Sequence, residues 1–249
     1  MSKPTRHSER RFLNFIRGNF LSLFPKLVDQ SQFNRRARGL RLIENELRKN
    51  LAESIGAHIA ALYVLDTAPV PVVGYKRSKR KSDFLCSAAY GYCVSKKLHY
   101  WGYKFVLLAT SSGIPVAFEL VPANVDERDA AEEVLPYANV GSIALGDKGF
   151  IDAQRQEEWK HRYGVSVLTF KRTNQKVKNS PFVQKLLKQH RSQVETTVSS
   201  LKRVEELEHH NAKTVIGLIT RVITKVTAYI LRHVLLRFHG IDVLNFEFL

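Results

Sequence analysis

The central part of the chain alternates short, uninterrupted apolar runs with segments whose apolar residues recur at helical spacing. Five apolar runs predict strands, at residues 60–66, 105–110, 114–121, 140–145 and 165–170. Residues 111–113 form a short link, suited to an antiparallel hairpin between the second and third runs. Helical spacing predicts helices over residues 152–163 and 182–207. These elements are expected to form one α/β unit.

A further helix is predicted between the third and fourth strands. It begins near Asp126, Glu127 and Asp129, whose negative charges favour a helix N-terminus, so we interpret them as capping residues. The full order is then strand, two-stranded hairpin, helix, strand, helix, strand and long helix. The ribonuclease-H-like fold uses this order, with its first and fourth strands as parallel neighbours. We therefore expect a mixed five-stranded sheet flanked by helices.

Helical segments lie on both sides of this unit. Residues 1–54 are basic and form either a DNA-binding surface or a helix pair that only covers the sheet. Residues 211–249 predict a C-terminal helix, packed on the core or on a second subunit. The expected organisation is a basic N-terminal segment at 1–54, a ribonuclease-H-like domain at 55–210 and a C-terminal helix at 211–249.

Two of the predicted strands end in an aspartate. Asp66 closes the first run before a Pro-Val-Pro exit, and Asp147 follows the fourth run within the sequence GDKGF. Aspartate is common wherever a strand turns into a loop, so either residue alone says little. On parallel neighbouring strands, however, the two carboxylates converge, and their repulsion is relieved when a cation lies between them. The pair therefore predicts a metal site.

The long predicted helix supplies a candidate third acid. Beside its apolar face runs a narrow polar stripe, which contains Lys188, Arg191, Glu195, Ser199 and Lys202. One interpretation makes Glu195 an i, i+4 partner of Arg191, a weak surface interaction. The other makes it a third carboxylate that faces the metal site.

The chain is strongly basic yet apolar enough to fold. Its formal net charge is +16, its isoelectric point is about 9.9 and hydrophobic residues make up 44% of it. Such a charge favours a polyanionic partner, of which nucleic acid is the commonest. An anionic membrane surface is the competing partner, but the sequence has neither a lipidation motif nor an apolar span of membrane length.

The cysteines and the start of the chain indicate a cellular compartment. Cys86 and Cys93 are the only cysteines, which argues against a zinc site and against a disulfide framework. The start of the chain lacks the apolar core of a secretory signal. We therefore expect a reducing, cytoplasmic setting.

Basic and aromatic residues follow the Asp66 run. Five basic side chains within six positions argue for phosphate contact: Lys76, Arg77, Lys79, Arg80 and Lys81. Aromatic residues interleaved with lysines come next, and such rings can stack on bases: Tyr90, Tyr92, Tyr100, Trp101 and Tyr103. The alternative is that two or three of these rings belong to the core, as we expect for Tyr103.

In this order, the motifs resemble those of the DDE transposases of bacterial insertion sequences, most closely the family numbered 982. The resemblance runs from about residue 63 to residue 202. It rests on Asp66 followed by PVPV, YGYCVSKKLHYWGYK at 90–104, PANVDER at 122–128, GDKGF at 146–150, and Arg191, Glu195 and Lys202. Lys188 stands where related branches have a tyrosine. Members of the family carry more sequence before the first acid, so the N-terminal part is expected to be shortened.

The resemblance implies a function and a site. Asp66, Asp147 and Glu195 would be the catalytic residues and would hold two Mg²⁺ ions, with Mn²⁺ as a substitute. Arg191, Lys202 and Lys104 would contact phosphates, with Lys148 a weaker candidate. The partner would be double-stranded DNA, bound by a homodimer or higher multimer in the bacterial cytoplasm, at the nucleoid. Two alternatives stay open: a metal-dependent nuclease or junction resolvase on the same fold, and an inactive, DNA-binding transposase remnant.

Overall fold

The computed structural model describes residues 8–73, 82–94, 97–171, 179–203, 207–208 and 210–242. Within these ranges, the side chains at 191–196, 198, 202 and 203 lie outside the description.

Six strands form one mixed sheet. They are β1 (Leu62–Val73), β2 (Ala89–Cys93), β3 (Leu98–Thr110), β4 (Pro115–Pro122), β5 (Ile143–Gly146) and β6 (Ser166–Thr169). β3 is antiparallel to β1 on one edge and to β2 and β4 on the other, while β1, β5 and β6 run parallel. Without β2 the order is β4-β3-β1-β5-β6, the ribonuclease-H-like arrangement. The predicted fold class is confirmed, and β2 adds a sixth strand to the five predicted.

β1 is longer than predicted. It does not end at Asp66 but continues to Val73 through Pro69 and Pro71, so the prediction of a Pro-Val-Pro exit is wrong. The reason lies in the pairing: β5 pairs with β1 only as far as Gly146, and beyond that point β1 is an edge strand in the described part of the sheet. An edge strand tolerates proline because one side of it needs no N–H donor.

Helices cover both faces of the sheet. The α-helices of the described residues are α1 (Glu9–Asn19), α2 (Gln30–Ser54), α3 (Glu127–Glu132), α4 (Ala153–Tyr163), α5 (Pro181–Arg203) and α6 (Val215–His239). No helix in the described part of the chain is both long enough and apolar enough to cross a membrane.

Two apolar cores lie on opposite faces of the sheet. On one face, called here the α5 face, Ala68 and Phe105 share a core with residues of α2, α5 and α6. On the opposite face, the α3 face, Leu65 and Val106 share a core with residues of α3 and α4. Because successive strand residues point to opposite faces, membership of either core shows which way each strand residue points.

The N-terminal helices pack on this unit. Glu9 of α1 accepts hydrogen bonds from Asn34 of α2 at 2.8 Å and from Arg221 of α6 at 2.9 Å. Arg48 of α2 is buried, and its Nη1 donates to the carbonyl oxygen of Val116 in β4 at 3.1 Å. Burial lowers the pKa of Arg48. These contacts fasten α1 and α2 to α6 and to the sheet.

Candidate active site

Asp66 and Asp147 lie next to each other on parallel strands. β1 and β5 pair in register as far as Leu65 and Gly146, so each aspartate is the following residue of its chain. Asp147 keeps an extended backbone, with φ −73° and ψ 177°. Neighbouring strands lie about 4.8 Å apart. The two acids therefore occupy adjacent positions at the end of the β1–β5 pairing.

Both aspartates are directed to the α5 face. Leu65 belongs to the α3-face core and Ala68 to the α5-face core, so the alternation along β1 turns Asp66 to the α5 face. In β5, Ala144 belongs to the α3-face core, and the same alternation turns Asp147 to the α5 face. Asp66 is half-buried and Asp147 is exposed. The pair thus opens towards the layer that contains α5.

The backbone orients the Asp66 carboxylate. The N–H of Thr67 donates to Asp66 Oδ1 at 2.7 Å. Asp147 comes immediately before a single 3₁₀ turn, Lys148–Phe150, in which the Phe150 N–H donates to the Asp147 carbonyl oxygen at 3.1 Å. A backbone N–H therefore orients the carboxylate of Asp66, and a hydrogen-bonded turn fixes the backbone of Asp147.

Close packing explains both glycines of GDKGF. Phe150 is buried and folds back over the end of β5, where a Cβ on Gly146 would lie 2.9 Å from its ring. A Cβ on Gly149 would lie only 1.4 Å from Oε2 of Glu127. The turn after Asp147 is therefore held from the α3 face by an aromatic ring and by a carboxylate.

An arginine network fixes the start of α3 beside this turn. Asp126 caps the helix by accepting the Arg128 N–H at 2.9 Å, and it also accepts from the Arg128 guanidinium at 2.7 and 2.9 Å. The side-chain hydrogen bond from Arg128 is the main reason why the pKa of Asp126 falls to about 2. Arg128 also reaches Asp152, the N-cap of α4, at 3.2 Å. The capping role predicted for Asp126 is confirmed.

α5 carries Glu195 and packs against β1, β6 and α6. Thr197, two residues further on, is buried, and its hydroxyl donates to the carbonyl oxygen of Gly113 at 3.5 Å. The backbone of Glu195 thus belongs to a helix in contact with the strand of Asp66. The side chains of Glu195, Arg191 and Lys202 lie outside the described residues.

The basic residues predicted to contact DNA are only partly described. Lys104 lies in β3 opposite Pro69, on the α3 face, and its Nζ donates to the carbonyl oxygen of Val125. It therefore does not join Asp66 and Asp147 on the α5 face. Lys148 is exposed in the turn after Asp147. Five further residues lie outside the described part of the chain: Lys76, Arg77, Lys79, Arg80 and Lys81.

The aromatic segment divides into core and surface. Tyr100, Trp101 and Tyr103 are buried, which confirms the core position predicted for Tyr103. Tyr90 and Tyr92 of β2 are 56% and 49% exposed. Only these last two could offer a ring to a ligand without unfolding the core.

The donor set suits a hard divalent cation. Asp66 and Asp147 supply carboxylate oxygens, which Mg²⁺ and Mn²⁺ prefer over softer ligands. Within the described residues, no group of three or more acidic, histidine or cysteine side chains could hold a metal ion. The described side chains therefore provide two of the three predicted ligands.

One contact was missed by the sequence analysis. Thr67 Oγ1 donates to Glu127 Oε1 at 2.9 Å, and the same carboxylate lies against Gly149. Glu127 was interpreted only as a helix-capping acid. The available signal was the second glycine of GDKGF, because a glycine marks either a positive φ or close approach by another group, and the structure shows close approach.

The sheet order is that of a ribonuclease-H-like protein, and Asp66 and Asp147 lie side by side in it. Residues 56–215, well over half of the chain, match the family model described as Transposase DDE domain. The protein therefore belongs to this family of DDE transposases. No curated protein sequence matches it significantly.

Similar solved structures are also transposases. The piggyBac transposase synaptic complex with hairpin DNA is 11% identical, with a TM-score of 0.45; the match covers 71% of this chain and 48% of that one. This chain thus spans about half the length of the piggyBac chain. The Mos1 paired-end complex with left transposon end is 14% identical, covering 94% and 80%, with a TM-score of 0.26. The Mos1 mariner paired end complex with Mn is 16% identical, with the same coverage and a TM-score of 0.25.

Proposed function

We propose that this protein is a DNA transposase that cleaves the ends of an insertion sequence and joins the freed 3′-hydroxyl to target DNA. The observation that carries the proposal is the side-by-side position of Asp66 and Asp147, on one face of the sheet, in a chain of the DDE family. Glu195 of α5 completes the proposed catalytic set. Cleavage of the element's end by water and attack of its 3′-hydroxyl on target DNA are then two reactions of one site.

Asp66, Asp147 and Glu195 would hold two Mg²⁺ ions, or Mn²⁺ in their place. When bound, such ions activate the attacking oxygen and stabilise the leaving oxygen of a phosphodiester. The chain's own part is to hold the carboxylates in place. The Thr67 N–H keeps one oxygen of Asp66 oriented, and the 3₁₀ turn keeps Asp147 at the strand end.

The net charge of +16 supports DNA as the substrate. Phosphate contacts are proposed for Arg191 and Lys202, which flank Glu195 on α5, and for the basic run at 76–81. Lys104 remains a candidate, although its Nζ already bonds to the Val125 carbonyl oxygen. Arg191 and Lys202 would neutralise the DNA backbone near the acids, whereas Lys104 would contact it from the opposite face of the sheet.

The insertion-sequence family, the assembly on DNA and the bounds of the catalytic domain are proposals as well. The order of the motifs supports membership of the insertion-sequence family numbered 982. We also propose that the protein binds the terminal inverted repeats as a homodimer or higher multimer at the bacterial nucleoid, and that residues 55–210 are its catalytic domain. The helices α1, α2 and α6 then form layers on that domain.

The test is a cleavage and joining assay. Purified protein is incubated with labelled duplex that carries the inverted repeats flanking its own reading frame, with Mg²⁺ or Mn²⁺, beside Asp147→Ala. Asp129→Asn is the matched control, since this acid is exposed on α3 and pairs with Arg155 instead. We expect metal-dependent 3′-end cleavage and joined products from the wild type and the control.

In Asp147→Ala, loss of a metal ligand is expected to lower cleavage by about a thousandfold or more, the effect of about 4 kcal/mol in the barrier. Duplex binding should persist, because the substitution removes a negative charge. Cleavage without joined products would point to the nuclease or resolvase. Equal loss of binding and cleavage in Asp147→Ala would refute the catalytic assignment.

A further inference from the structure

Glu127 connects the two segments that carry Asp66 and Asp147. One carboxylate oxygen, Oε1, accepts the hydroxyl of Thr67 at 2.9 Å, and Thr67 directly follows Asp66. The other oxygen, Oε2, lies against Gly149, two residues after Asp147. A single side chain from α3 thus contacts both segments.

Glu127 acts from the side of the sheet opposite the two acids. Thr67 follows Asp66 in β1, so its side chain points to the α3 face, where Val106, its partner in β3, belongs to the core. Asp66 and Asp147 point to the α5 face. Glu127 is therefore separated from the proposed ligand site by the sheet itself, which agrees with the absence of a three-residue metal cluster among the described residues.

Thr67 links Glu127 directly to the orientation of Asp66. Its N–H donates to Asp66 Oδ1 at 2.7 Å while its hydroxyl donates to Glu127. A shift of the Thr67 side chain therefore disturbs the residue that orients Asp66. On the other side, Gly149 belongs to the 3₁₀ turn in which the Asp147 carbonyl oxygen accepts the Phe150 N–H at 3.1 Å.

The surroundings of Glu127 keep its carboxylate in place. It is half-buried at the first position of α3, after the N-cap Asp126. Burial, with smaller contributions from Cys93 and Glu127, raises the pKa of Tyr100 in β3 to about 12. The carboxylate is thus held between Thr67 of β1 and Gly149 of the turn after β5.

We propose that Glu127 is a positioning residue that sets the separation of Asp66 and Asp147, by holding Thr67 on one side and Gly149 on the other. The inference rests on the proposed function, since it assigns the two aspartates to a metal site. Residues that hold metal ligands in place commonly change metal affinity or activity by about 10–100-fold when they are replaced. Glu127 is expected to fall in this range.

The test compares variants that remove the contact with variants that keep it. Glu127→Ala and Thr67→Val remove it, whereas Glu127→Gln and Thr67→Ser keep an oxygen acceptor and a hydroxyl. Glu132→Gln is the matched control, because Glu132 lies on the same helix but binds Trp159 Nε1 at 3.2 Å. Three quantities are measured: the melting temperature, binding of Mn²⁺ from the loss of the free Mn²⁺ signal in electron paramagnetic resonance, and the Mn²⁺ concentration that gives half-maximal cleavage.

We expect Glu127→Ala and Thr67→Val to weaken Mn²⁺ binding, and to raise the half-maximal concentration, by about tenfold or more. Thr67→Ser, Glu127→Gln and Glu132→Gln should stay within about threefold of the wild type. In the double variant Thr67→Val/Glu127→Ala, the second substitution should add little to the loss of melting temperature caused by the first, because both remove one contact.

The outcomes separate the inference from the proposed function. If the wild type cleaves DNA but Glu127→Ala keeps wild-type Mn²⁺ dependence, the positioning role is wrong and the function stands. The same holds if Glu132→Gln shifts Mn²⁺ binding as much as Glu127→Ala. If the wild type binds Mn²⁺ without cleaving DNA, the binding measurements alone decide the inference. If it neither binds Mn²⁺ nor cleaves, both fall.

Discussion

Replacing Gly149 with alanine should damage the site more than the fold. The added Cβ would lie 1.4 Å from Glu127 Oε2 and 2.6 Å from Glu127 Cδ. An ordinary contact needs about 3.5 Å, so the carboxylate must move by about 2 Å. A hydrogen bond of 2.9 Å does not survive such a displacement, so Thr67 would lose its bond to Glu127.

The expected cost in stability is modest, because the obstructing atoms are the end of a flexible side chain. A hydrogen bond to a charged group contributes about 1.5–3 kcal/mol when buried. Glu127 is only half-buried, and both partners can bind water after the shift, so we expect a loss of about 1 kcal/mol. For a chain of 249 residues this corresponds to about 2–4 °C in melting temperature. Cleavage, in contrast, should fall by about tenfold or more, because the proposed metal ligands, Asp66 and Asp147, would tolerate little displacement.

Thermal unfolding by circular dichroism and single-turnover cleavage measure the two effects. Gly39→Ala is the control, since nothing lies within 4 Å of a Cβ at this helical position, and it should stabilise the protein by about 0.5–1 kcal/mol. Adding Glu127→Ala to Gly149→Ala should cause little further loss of stability and should not restore cleavage. Unchanged cleavage and melting temperature in Gly149→Ala would refute the reasoning.

Two further predictions concern stability. Gly102→Ala would place a Cβ 2.2 Å from the Val70 carbonyl oxygen, where only backbone can yield. We therefore expect the free energy of urea unfolding to fall by about 3 kcal/mol or more, or the protein not to fold at all. Wild-type stability would contradict the close approach of β1 and β3. Burial, and then the charge of Arg232, lower the pKa of His233 below its ordinary value of 6.5, so the unfolded chain binds the proton more readily. The contribution of His233 to the free energy of unfolding should be complete above pH 6.5 and should be lost as the pH falls through the lower, folded pKa. Urea unfolding at pH 7.5 and 5.5 measures this loss of stability. The loss should be smaller in His233→Leu than in the wild type, and equal losses would contradict the assignment.

Several features of the fold could be predicted from local sequence. α4 runs from Ala153 to Tyr163 behind its N-cap Asp152, as the helical spacing predicted, and α6 begins after the N-cap Thr214. These elements are encoded by apolar periodicity and by capping residues within a few positions of each end. The order of the strands then restricted the topology to a ribonuclease-H-like sheet, and with it the neighbouring positions of Asp66 and Asp147.

Other features depended on residues distant in the sequence. β2 was missed because Gly91, its central residue, gives a weak strand signal. In the folded protein this residue must be small, because a Cβ at Gly91 would lie 2.7 Å from the Cβ of Ala123, which follows β4. The extension of β1 through Pro69 was missed because proline is tolerated only where the neighbouring strand has ended. That point is set by the length of β5, not by the sequence of β1 itself.

The sequence by itself therefore determined the order of the elements other than β2, the basic charge and the two aspartates that the sheet brings together. The tertiary structure alone decided that Asp66 faces the layer that contains α5, and that Glu127 meets Gly149 on the other side of the sheet. The physical reason is the distance along the chain over which each signal acts: apolar periodicity and capping involve residues within one or two helical turns of each other. The contact of Glu127 with both segments arises only when α3 packs on the completed sheet.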